Sequence, residues 1–419
     1  MTSLEEVYAL FLSSSGVATD SRSVTKNNLF FALRGPTFNG NNYAENALAK
    51  GACIAIVDDA NLAAKNKKCL LVDNVLKTLQ KLANHHRNQF SIPIVALTGS
   101  NGKTTTKELM AAVLGTTHRV LYTEGNLNNH IGVPLTLLRL TKKHTHAIIE
   151  MGANHIGEID FLCSIAAPTH GLITNIGKAH LEGFGSIEGV LQGKTELYRY
   201  LDTDYGTIFV NQDDKKLVDA IGEKSTLIYY KTLECTTVQQ QPTLKLSFSD
   251  LEINTQLVGS YNKSNVCAAL SVGKTFGVPL HKSIKAIEAY VPINYRSQLI
   301  RKNNKTIVLD AYNANPTSME AAIRAFHSRT GTKMLILGMM AELGKDEAVE
   351  HKNLIALVNS FAFDTCYWVG EAFKPYVSEN WFATTAEAKA YIENHPSNAE
   401  QILIKGSRSV GLESLTEIL

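Results

Sequence analysis

The sequence lacks several features that mark particular classes of protein. None of its six cysteines stands in a C-x-x-C spacing, and no apolar run approaches the roughly 18 residues of a membrane span. The first residues, MTSLEEVYALF, lack the long apolar core of a signal peptide. Charged residues make up only 19% of the chain and balance to +2, unlike the basic stripe of a nucleic-acid-binding protein. We therefore expect a cytoplasmic protein with free thiols that binds neither membrane nor nucleic acid.

What the chain does contain is enough apolar sequence for several cores. Its 419 residues are 44% apolar, which indicates two or three domains. Continuous apolar runs alternate with helical patterns, as in parallel sheets covered by helices on both faces. We therefore predict an α/β protein of three domains. These are a small N-terminal α/β domain (1–92), a central mononucleotide-binding domain with a mostly parallel sheet (93–296) and a C-terminal Rossmann-like α/β domain (297–419).

Three segments of the central region predict particular elements. Residues 225–258 are rich in Thr and Gln and alternate in polarity, which indicates a few antiparallel strands. Residues 186–200 carry the pattern of one helix, and another helix is expected at 263–275.

A phosphate-binding loop is the strongest local signal. The stretch GSNGKT (99–104) follows the apolar run IVALT and precedes a helical pattern. In such a loop the glycines let backbone N–H groups face the phosphates, Lys103 would reach the β- and γ-phosphates, and the Thr104 hydroxyl would bind Mg²⁺. The longer form of the pattern has a glycine where Leu97 stands, and the alternative is a plain glycine turn before a helix. The predicted nucleotide-binding residues of this loop are Gly99, Ser100, Asn101, Gly102, Lys103, Thr104 and Thr105.

Three ionisable residues further along are candidates for a metal site. Glu150 ends the strand pattern HAIIE, His180 follows another strand pattern, and Lys194 lies on a helical one. Mg²⁺ prefers oxygen ligands, so Glu150 is a suitable ligand, whereas a histidine and a lysine are unusual ones. Taken singly, Glu150 could equally be a surface acid, His180 a loop residue and Lys194 a solvated charge.

Together these segments resemble the Mur ligases, a family of bacterial ATP-dependent amide-forming enzymes of peptidoglycan synthesis. The motifs that carry the resemblance are DSRSV, TGSNGKTTTKE, GNLNNHIGVPLTLL, EMGANHIGEI, TNIGKAHLEGFGS, GKTEL and LIKGSRSVGLE, and they span nearly the whole chain. DAYNANPTSMEAAI (310–323) and LGMMAELG (337–344) are similar to the branch that adds D-alanyl-D-alanine to UDP-N-acetylmuramoyl-tripeptide. Both diaminopimelate and lysine as the third peptide residue are compatible with these motifs.

The resemblance implies a mechanism and its cofactors. ATP would convert the terminal carboxylate of the tripeptide into an acyl phosphate, which the amine of D-alanyl-D-alanine then attacks. Lys194 matches a lysine that the family carbamylates, and an ordinary lysine, with a pKa of about 10.4, must lose its proton first. A carbamate is a suitable Mg²⁺ ligand, so the resemblance implies two Mg²⁺ ions. Thr104 and Glu150 would hold the first, and His180 and Lys194 would help to hold the second. We expect the enzyme to act as a monomer.

The remaining roles are also carried over from the family. Lys103, Lys194, His180 and Asn128 are expected in catalysis. On the ATP side the resemblance places Asn262, Asn265, Arg296, Asp310, Tyr312 and Asn313. On the side of the peptide substrates it places Asp20, Ser21, Arg22, Asn128, Asn129, Asn315, Lys405, Ser407 and Arg408. For Asp20, Ser21 and Arg22 the uridine nucleotide is the expected ligand, and a helix cap with an ion pair is the alternative.

Two positions depart from the family pattern, and two other functions compete. Tyr261 stands where the family more often has histidine, and Met339 where it usually has aspartate. Another amide ligase of the superfamily, either an amino-acid-adding Mur ligase or a folylpolyglutamate synthase, would share the phosphate loop. A folylpolyglutamate synthase would lack a separate uridine-binding first domain. A non-catalytic nucleotide-binding protein would need the loop but not Glu150, His180 and Lys194.

Overall fold

The computed structural model describes residues 2–419, and within them strands form four sheets. The strands are β1 (Val17–Ala18), β2 (Leu29–Phe31), β3 (Ile54–Val57), β4 (Cys69–Leu71), β5 (Ile94–Thr98), β6 (Val120–Tyr122), β7 (His146–Glu150), β8 (His170–Ile173), β9 (Thr207–Asn211), β10 (Thr226–Tyr230), β11 (Cys235–Gln239), β12 (Lys245–Phe248), β13 (Leu251–Asn254), β14 (Gln298–Lys302), β15 (Lys305–Asp310), β16 (Lys333–Gly338), β17 (Thr365–Val369), β18 (Trp381–Phe382) and β19 (Gln401–Lys405). The helices are α1 (Leu4–Ser13), α2 (Ala44–Ala49), α3 (Ala60–Lys65), α4 (Val75–Arg87), α5 (Lys103–Leu114), α6 (Gly132–Leu137), α7 (Glu158–Ala166), α8 (Leu181–Phe184), α9 (Ile187–Lys194), α10 (Glu196–Thr203), α11 (Lys215–Val218), α12 (Lys263–Thr275), α13 (Leu280–Ala289), α14 (Pro316–His327), α15 (Glu347–Asn359) and α16 (Thr385–Asn394).

The N-terminal sheet is small and parallel, in the order β1-β2-β3-β4. Its strands are short apolar runs, and their inner side chains form a core with α2 that includes Phe30, Ala44 and Val57. Helix α1 precedes the sheet and begins at a capping box, in which Ser3 accepts from the backbone of Glu6 and Glu6 accepts from that of Ser3. The predicted α/β character of this region is confirmed.

The central sheet has the order β10-β9-β8-β5-β7-β6. Strands β5 and β7 are buried along their whole length and pair in parallel, with Leu97 opposite Glu150. Both faces of such strands are covered, which explains why their sequences are continuous apolar runs. The parallel sheet predicted for this region is confirmed. The prediction of antiparallel strands over 225–258 holds for β11, β12 and β13 but not for β10, which pairs in parallel with β9.

The C-terminal sheet has the order β14-β15-β19-β16-β17-β18. Only the β14–β15 pair is antiparallel, and the remaining pairs are parallel. A buried core lies on one face and includes Ile307, Ile336, Val369 and Ile404. This is the predicted C-terminal α/β arrangement, with a short antiparallel strand added at one edge.

The chain forms two compact units that are discontinuous in sequence. The first contains the chain up to Leu97, together with His118–Gly152 and Glu158–Gly171, and the second contains Thr98–Thr117, Ala153–Gly157 and Leu172–Leu419. In the second unit α5 packs closely on α12. A β-carbon added to Gly273 of α12 would lie 2.5 Å from Cγ1 of Val113, so the two helices meet at van der Waals distance there. Within residues 2–419 no helix is both long enough and apolar enough to cross a membrane.

Histidines near the amino ends of the central strands should make stability depend on pH. His146 begins β7 and His170 begins β8, and the His118 ring centroid lies 4.2 Å from that of His146. Burial, followed by the charges of His118 and His170, lowers the pKa of His146 to about 4, and burial lowers that of His170 to about 4. Both are neutral when folded, whereas the unfolded chain takes up protons below about pH 6.5.

We therefore expect stability to be retained above about pH 6.5 and lost as pH falls from there towards 4. Each histidine adds at most about 1.4 kcal/mol per pH unit to the slope, and the part-exposed His170 adds less. Urea unfolding at several pH values measures this slope. It should flatten in His146→Gln but not in His281→Gln, which changes an exposed histidine of α13. An unchanged slope in His146→Gln would refute the assignment.

Candidate active site

The phosphate loop lies between β5 and α5, as predicted. Its two glycines have backbone conformations that favour glycine, with φ of 141° at Gly99 and 78° at Gly102. Gly102 immediately precedes α5, and no side chain caps that helix. The first turn therefore presents backbone N–H groups and the positive end of the helix dipole, which is the arrangement that binds phosphate.

The space at Gly99 is closed by a neighbouring strand end. A β-carbon there would lie 2.0 Å from Oγ1 of Thr174, whose hydroxyl donates to the Asn101 carbonyl at 2.6 Å. Gly99→Ala should therefore reduce the free energy of unfolding by roughly 1–3 kcal/mol, measured by urea unfolding. Gly125→Ala is the matched control, because Gly125 has φ of 54° and no atom within 4 Å of the added carbon. Equal losses in the two variants would contradict a steric role for Thr174.

The two residues that follow the glycines take the positions expected of nucleotide-binding groups. Lys103 donates from Nζ to the Gly99 carbonyl at 2.7 Å, so its side chain lies along the loop. The Thr104 side chain is buried in the first turn of α5. These placements keep a positive charge and a hydroxyl next to the helix N-terminus, where a triphosphate and its cation would bind.

The loop is held in shape by hydrogen bonds to the chain that follows β8. Ser100 Oγ donates to the Gly177 carbonyl at 3.0 Å and accepts from Gly177 N at 2.9 Å. The Asn175 side chain accepts from Asn101 N at 3.1 Å and donates to the Asn101 carbonyl at 3.0 Å. The loop is thus fixed before any ligand binds, which lowers the entropy lost on binding.

The start of α12 lies against the same loop. Asn265 Oδ1 accepts from the Thr106 hydroxyl at 3.0 Å, and Asn265 Nδ2 donates to Asn262 Oδ1 at 2.8 Å. A β-carbon on Gly102 would lie 2.6 Å from Asn265 Oδ1. Asn262 and Asn265, both predicted for the ATP side, are therefore buried supports of the phosphate loop in this structure.

In the first unit, Glu150 and Asn128 form a pair. Glu150 ends β7, is 1% exposed and accepts from Asn128 Nδ2 at 2.8 Å. Asn129 accepts from the backbone N–H groups of Ile131 and Gly132 at 3.0 and 2.9 Å, which shapes the turn into α6. The carboxylate of Glu150 is therefore oriented by the amide of Asn128.

His180 and Lys194 lie in the second unit. His180 has a left-handed backbone, with φ of 53°, and its Nδ1 is 2.5 Å from Oε2 of Glu342. Lys194 is fully buried at the end of α9, donates to the Ala153 carbonyl at 2.9 Å and lies 5.1 Å from the Phe184 ring centroid. A buried lysine beside an aromatic ring is not a solvated surface charge, so that alternative is excluded.

The donor chemistry fits a hard cation. Within residues 2–419 no group of three His, Cys, Asp or Glu side chains is arranged to hold a metal. Mg²⁺ is usually bound by one or two carboxylates, waters and the oxygens of substrate phosphates rather than by a full protein cage. The buried carboxylate of Glu150 and the buried hydroxyl of Thr104 are ligands of the required kind.

The carboxyl ends of the C-terminal strands carry a second group of predicted residues. Lys405 Nζ lies 2.5 Å from Asp310 Oδ2 and donates to the Asn313 carbonyl at 3.3 Å. Asp310 Oδ1 accepts from Ser297 N at 3.1 Å, and Ser297 Oγ is 2.8 Å from the Tyr261 hydroxyl. Burial is the first cause that raises the pKa of Tyr261 above its usual value, so the phenol stays neutral. Asp310 and Lys405 thus form an internal ion pair that organises the loop after β15.

Two arginines stack on one tyrosine at this edge. The Arg296 guanidinium carbon lies 3.7 Å from the Tyr312 ring centroid, and that of Arg408 lies 5.8 Å from the same centroid. Such stacking holds guanidinium groups in place while leaving N–H donors for an anion. The structure therefore brings together Arg296, Tyr312 and Arg408, which the sequence assigned to different ligands.

Asn315 and Ser407 make contacts that the sequence did not indicate. Asn315 caps α14 and donates from Nδ2 to Asn101 Oδ1 of the phosphate loop at 2.8 Å. Ser407 Oγ accepts from Ala341 N at 2.8 Å, so it supports the turn after β16. Asn315, predicted for the substrate, is thus seen on the phosphate loop.

The N-terminal candidates form a local ion pair. Arg22 donates to both carboxylate oxygens of Asp20, at 2.7 to 3.0 Å, and these bonds lower the pKa of Asp20 to about 2. Lys50 donates to the Ser21 carbonyl at 3.0 Å. The ion pair is exposed, and its charged groups face solvent.

Four residues of the site were not predicted from the sequence. Lys178 donates from Nζ to Glu350 at 2.6 Å and from its backbone to Thr317 at 3.0 Å, and Glu342 contacts His180. Glu342 lies within LGMMAELG, which the sequence did single out, but nothing local indicated its partner.

Three descriptions of one family match the chain. The Mur ligase middle domain matches residues 97–273, the glutamate ligase domain of the Mur ligases matches 295–408, and the catalytic domain of the Mur ligase family matches 13–87.

Individual proteins match over nearly the whole length. A UDP-N-acetylmuramoyl-tripeptide--D-alanyl-D-alanine ligase of Bacillus subtilis is 32% identical, over 96% of this chain and 93% of its own. The crystal structure of MurF from Acinetobacter baumannii superposes with a TM-score of 0.86 at 31% identity, covering 96% of this chain and 92% of its own. MurF ligase of Thermotoga maritima in complex with ADP gives a TM-score of 0.85 at 26% identity, covering 98% and 97%.

Proposed function

The chain belongs to the Mur ligase family, and we propose that it is the ATP-dependent ligase that joins D-alanyl-D-alanine to UDP-N-acetylmuramoyl-tripeptide. The observation that carries the proposal is its similarity, end to end, to ligases named for that reaction. The product is the UDP-linked pentapeptide of peptidoglycan synthesis. The preformed phosphate loop, with Lys103 and Thr104 at the start of α5, supplies the matching nucleotide site.

We propose that each of the three domains binds mainly one substrate, in the order of the chain. We assign residues 1–92 to the UDP-muramoyl-peptide, 93–296 to ATP, and 297–419 to the dipeptide and the outer side of ATP. The extents of the three family matches support these boundaries. In the first domain, Asp20, Ser21 and Arg22 are the proposed contacts for the uridine nucleotide.

In the first chemical step, an oxygen of the peptide carboxylate attacks the γ-phosphorus of ATP, and ADP leaves. Two anions must approach, so positive charge next to the phosphate is needed. Lys103 supplies it from the phosphate loop, and the N-terminus of α5 adds its partial charge. Asn128 orients the carboxylate of Glu150, and Asn129 shapes the loop that we place beside the peptide.

Two Mg²⁺ ions and a carbamylated Lys194 complete the proposed site. Magnesium neutralises phosphate charge when it is bound. Thr104 and Glu150 provide oxygen ligands for one ion, and His180 with Lys194 are assigned to the other. The complete burial of Lys194 supports a modified form, because a buried ammonium is unfavourable and carbon dioxide adds only to a neutral amine.

In the second step, the amine of D-alanyl-D-alanine attacks the acyl carbon, and phosphate leaves from the tetrahedral intermediate. The groups proposed to bind the dipeptide carboxylate and to position its amine are Lys405, Ser407, Arg408 and Asn315. The guanidinium of Arg408, held near Tyr312, is suited to a carboxylate. Arg296, Tyr312, Asn313 and Asp310 are placed beside ATP.

A coupled phosphate-release assay tests the proposal. Release from ATP should require both UDP-N-acetylmuramoyl-tripeptide and D-alanyl-D-alanine, and oxygen-18 in the terminal carboxylate of the tripeptide should appear in the phosphate. Single D-alanine, single amino acids with shorter uridine nucleotides, and a folate with glutamate are the comparison substrates. If phosphate were released only with one of those comparison substrates, that compound would be the substrate instead. ATP binding without phosphate release under any of these conditions would indicate a nucleotide-binding protein rather than a ligase.

A further inference from the structure

The carboxylate of Glu342, a residue in the last third of the chain, contacts a ring nitrogen of His180. Oε2 of Glu342 is 2.5 Å from His180 Nδ1, and the Glu342 carbonyl accepts from Glu182 N at 3.1 Å. A β-carbon on Gly344 would lie 3.1 Å from Cα of Glu182. The turn at 342–344 therefore packs directly against the start of α8.

The turn that carries Glu342 is held in place by hydrogen bonds on both sides. Glu342 has φ of 62°, a left-handed conformation that costs a non-glycine residue energy and that the surrounding contacts must maintain. On one side Met340 N donates to Nε2 of His351 at 3.1 Å, and His351 is fully buried with Nδ1 2.8 Å from the Glu347 carbonyl. On the other side Ala341 N donates to Ser407 Oγ.

The charges around Glu342 agree with its placement. Contact with His180 is the first cause that lowers the pKa of Glu342, and the charge of Lys103 acts in the same direction. The geometric contact of Glu342 is the one with His180. An exposed ion pair would contribute little by itself, so the value of the contact lies in orientation rather than in stability.

We propose that Glu342 is a positioning residue for the transfer of phosphate. Its carboxylate lies against Nδ1 of His180, limits rotation of the ring and leaves Nε2 as the nitrogen available to a second partner, which we assign as the second of the two proposed Mg²⁺ ions. Carboxylates that hold the second nitrogen of a metal-binding histidine act in this way. The inference rests on the proposed function, and it means that the cation site is complete only when the turn after β16 lies on α8.

The test compares Glu342→Gln with Glu347→Gln. Both remove one negative charge from the same segment, and the exposed Glu347 side chain serves as the control. We expect Glu342→Gln to raise the Mg²⁺ concentration for half-maximal phosphate release about tenfold, with kcat at saturating Mg²⁺ nearly unchanged. Binding of Mn²⁺ to the ATP-loaded protein, followed by electron paramagnetic resonance, should weaken by a similar factor. Glu347→Gln should change neither quantity.

Further measurements separate the alternatives. In the double variant His180→Ala/Glu342→Gln, the second change should add no shift in Mn²⁺ affinity beyond that of His180→Ala, because one acts through the other. A lower melting temperature in Glu342→Gln with unchanged Mn²⁺ binding would overturn the proposal in favour of a structural contact. A lower KM for ATP would also overturn it, by showing that the carboxylate competes with the nucleotide. Failure of the unmodified protein to release phosphate would instead refute the proposed function.

Discussion

Lys103→Met is expected to lower kcat/KM for ATP-dependent phosphate release by about 10³-fold. The reason is electrostatic, since the substitution keeps the length of the side chain but removes the charge that lies along the loop at Gly99. Without it less positive charge offsets the repulsion between the attacking carboxylate and the γ-phosphate. The coupled phosphate assay measures the loss, and a thermal melt confirms that the variant is folded.

Lys274→Met is the matched control. Lys274 is an exposed lysine in the last turn of α12, within the same compact unit. Its replacement should leave kcat/KM within about twofold, as expected for a solvated charge far from any described ligand. If Lys103→Met kept more than a tenth of the activity, the loop would not be acting on the transferred phosphate.

Lys194→Ala should reduce turnover by about 10²-fold or more, and short carboxylates such as formate or acetate should restore part of it. The substitution removes the group that we expect to carry the carbamate, and an added carboxylate can enter the space left beside Ala153 and Phe184. Loss of one ligand to a cation that stabilises the transferring phosphate is worth several kcal/mol. Phosphate release with and without added carboxylate measures both effects.

Lys194→Arg distinguishes the carbamate from a simple positive charge. A guanidinium keeps the charge but does not react with carbon dioxide at ordinary pH, since its pKa is above 12. We expect Lys194→Arg to be as inactive as Lys194→Ala and to gain nothing from formate. Full activity in either variant would remove Lys194 from the proposed metal site.

Local sequence was sufficient for the parts of the fold that local interactions determine. The run IVALT predicted β5, and the helical pattern after the glycine loop predicted α5, and the structure contains both elements. Both signals are local because a doubly buried strand must be apolar throughout and a left-handed turn favours glycine.

Pairing between distant segments could not be predicted in the same way. Residues 186–200 were expected to form one helix, but Thr195 separates α9 from α10, and its hydroxyl donates to the Leu191 carbonyl at 2.8 Å. Strand β10 lies at the edge of its sheet, and its direction of pairing depends on β9 rather than on its own sequence.

The candidate site shows the same division. The sequence singled out the loop residues and Glu150 from their positions at strand ends, and the structure has the loop after β5 and Glu150 at the end of β7. It did not identify Glu342, because its contact with His180 depends on a turn far along the chain. It also did not indicate that the amide of Asn315 donates to Asn101. A motif predicts which residues matter more readily than which neighbour each one contacts.

The close packing of α5 on α12 has a consequence for synthesis on the ribosome. Helix α5 ends at Leu114, and its partner begins only at Lys263. At ordinary translation rates the intervening chain takes on the order of ten seconds to emerge. During that interval the apolar face of α5 has no Gly273 against which to pack. The nucleotide site of the nascent chain is therefore exposed to chaperones and proteases until α12 has been synthesised.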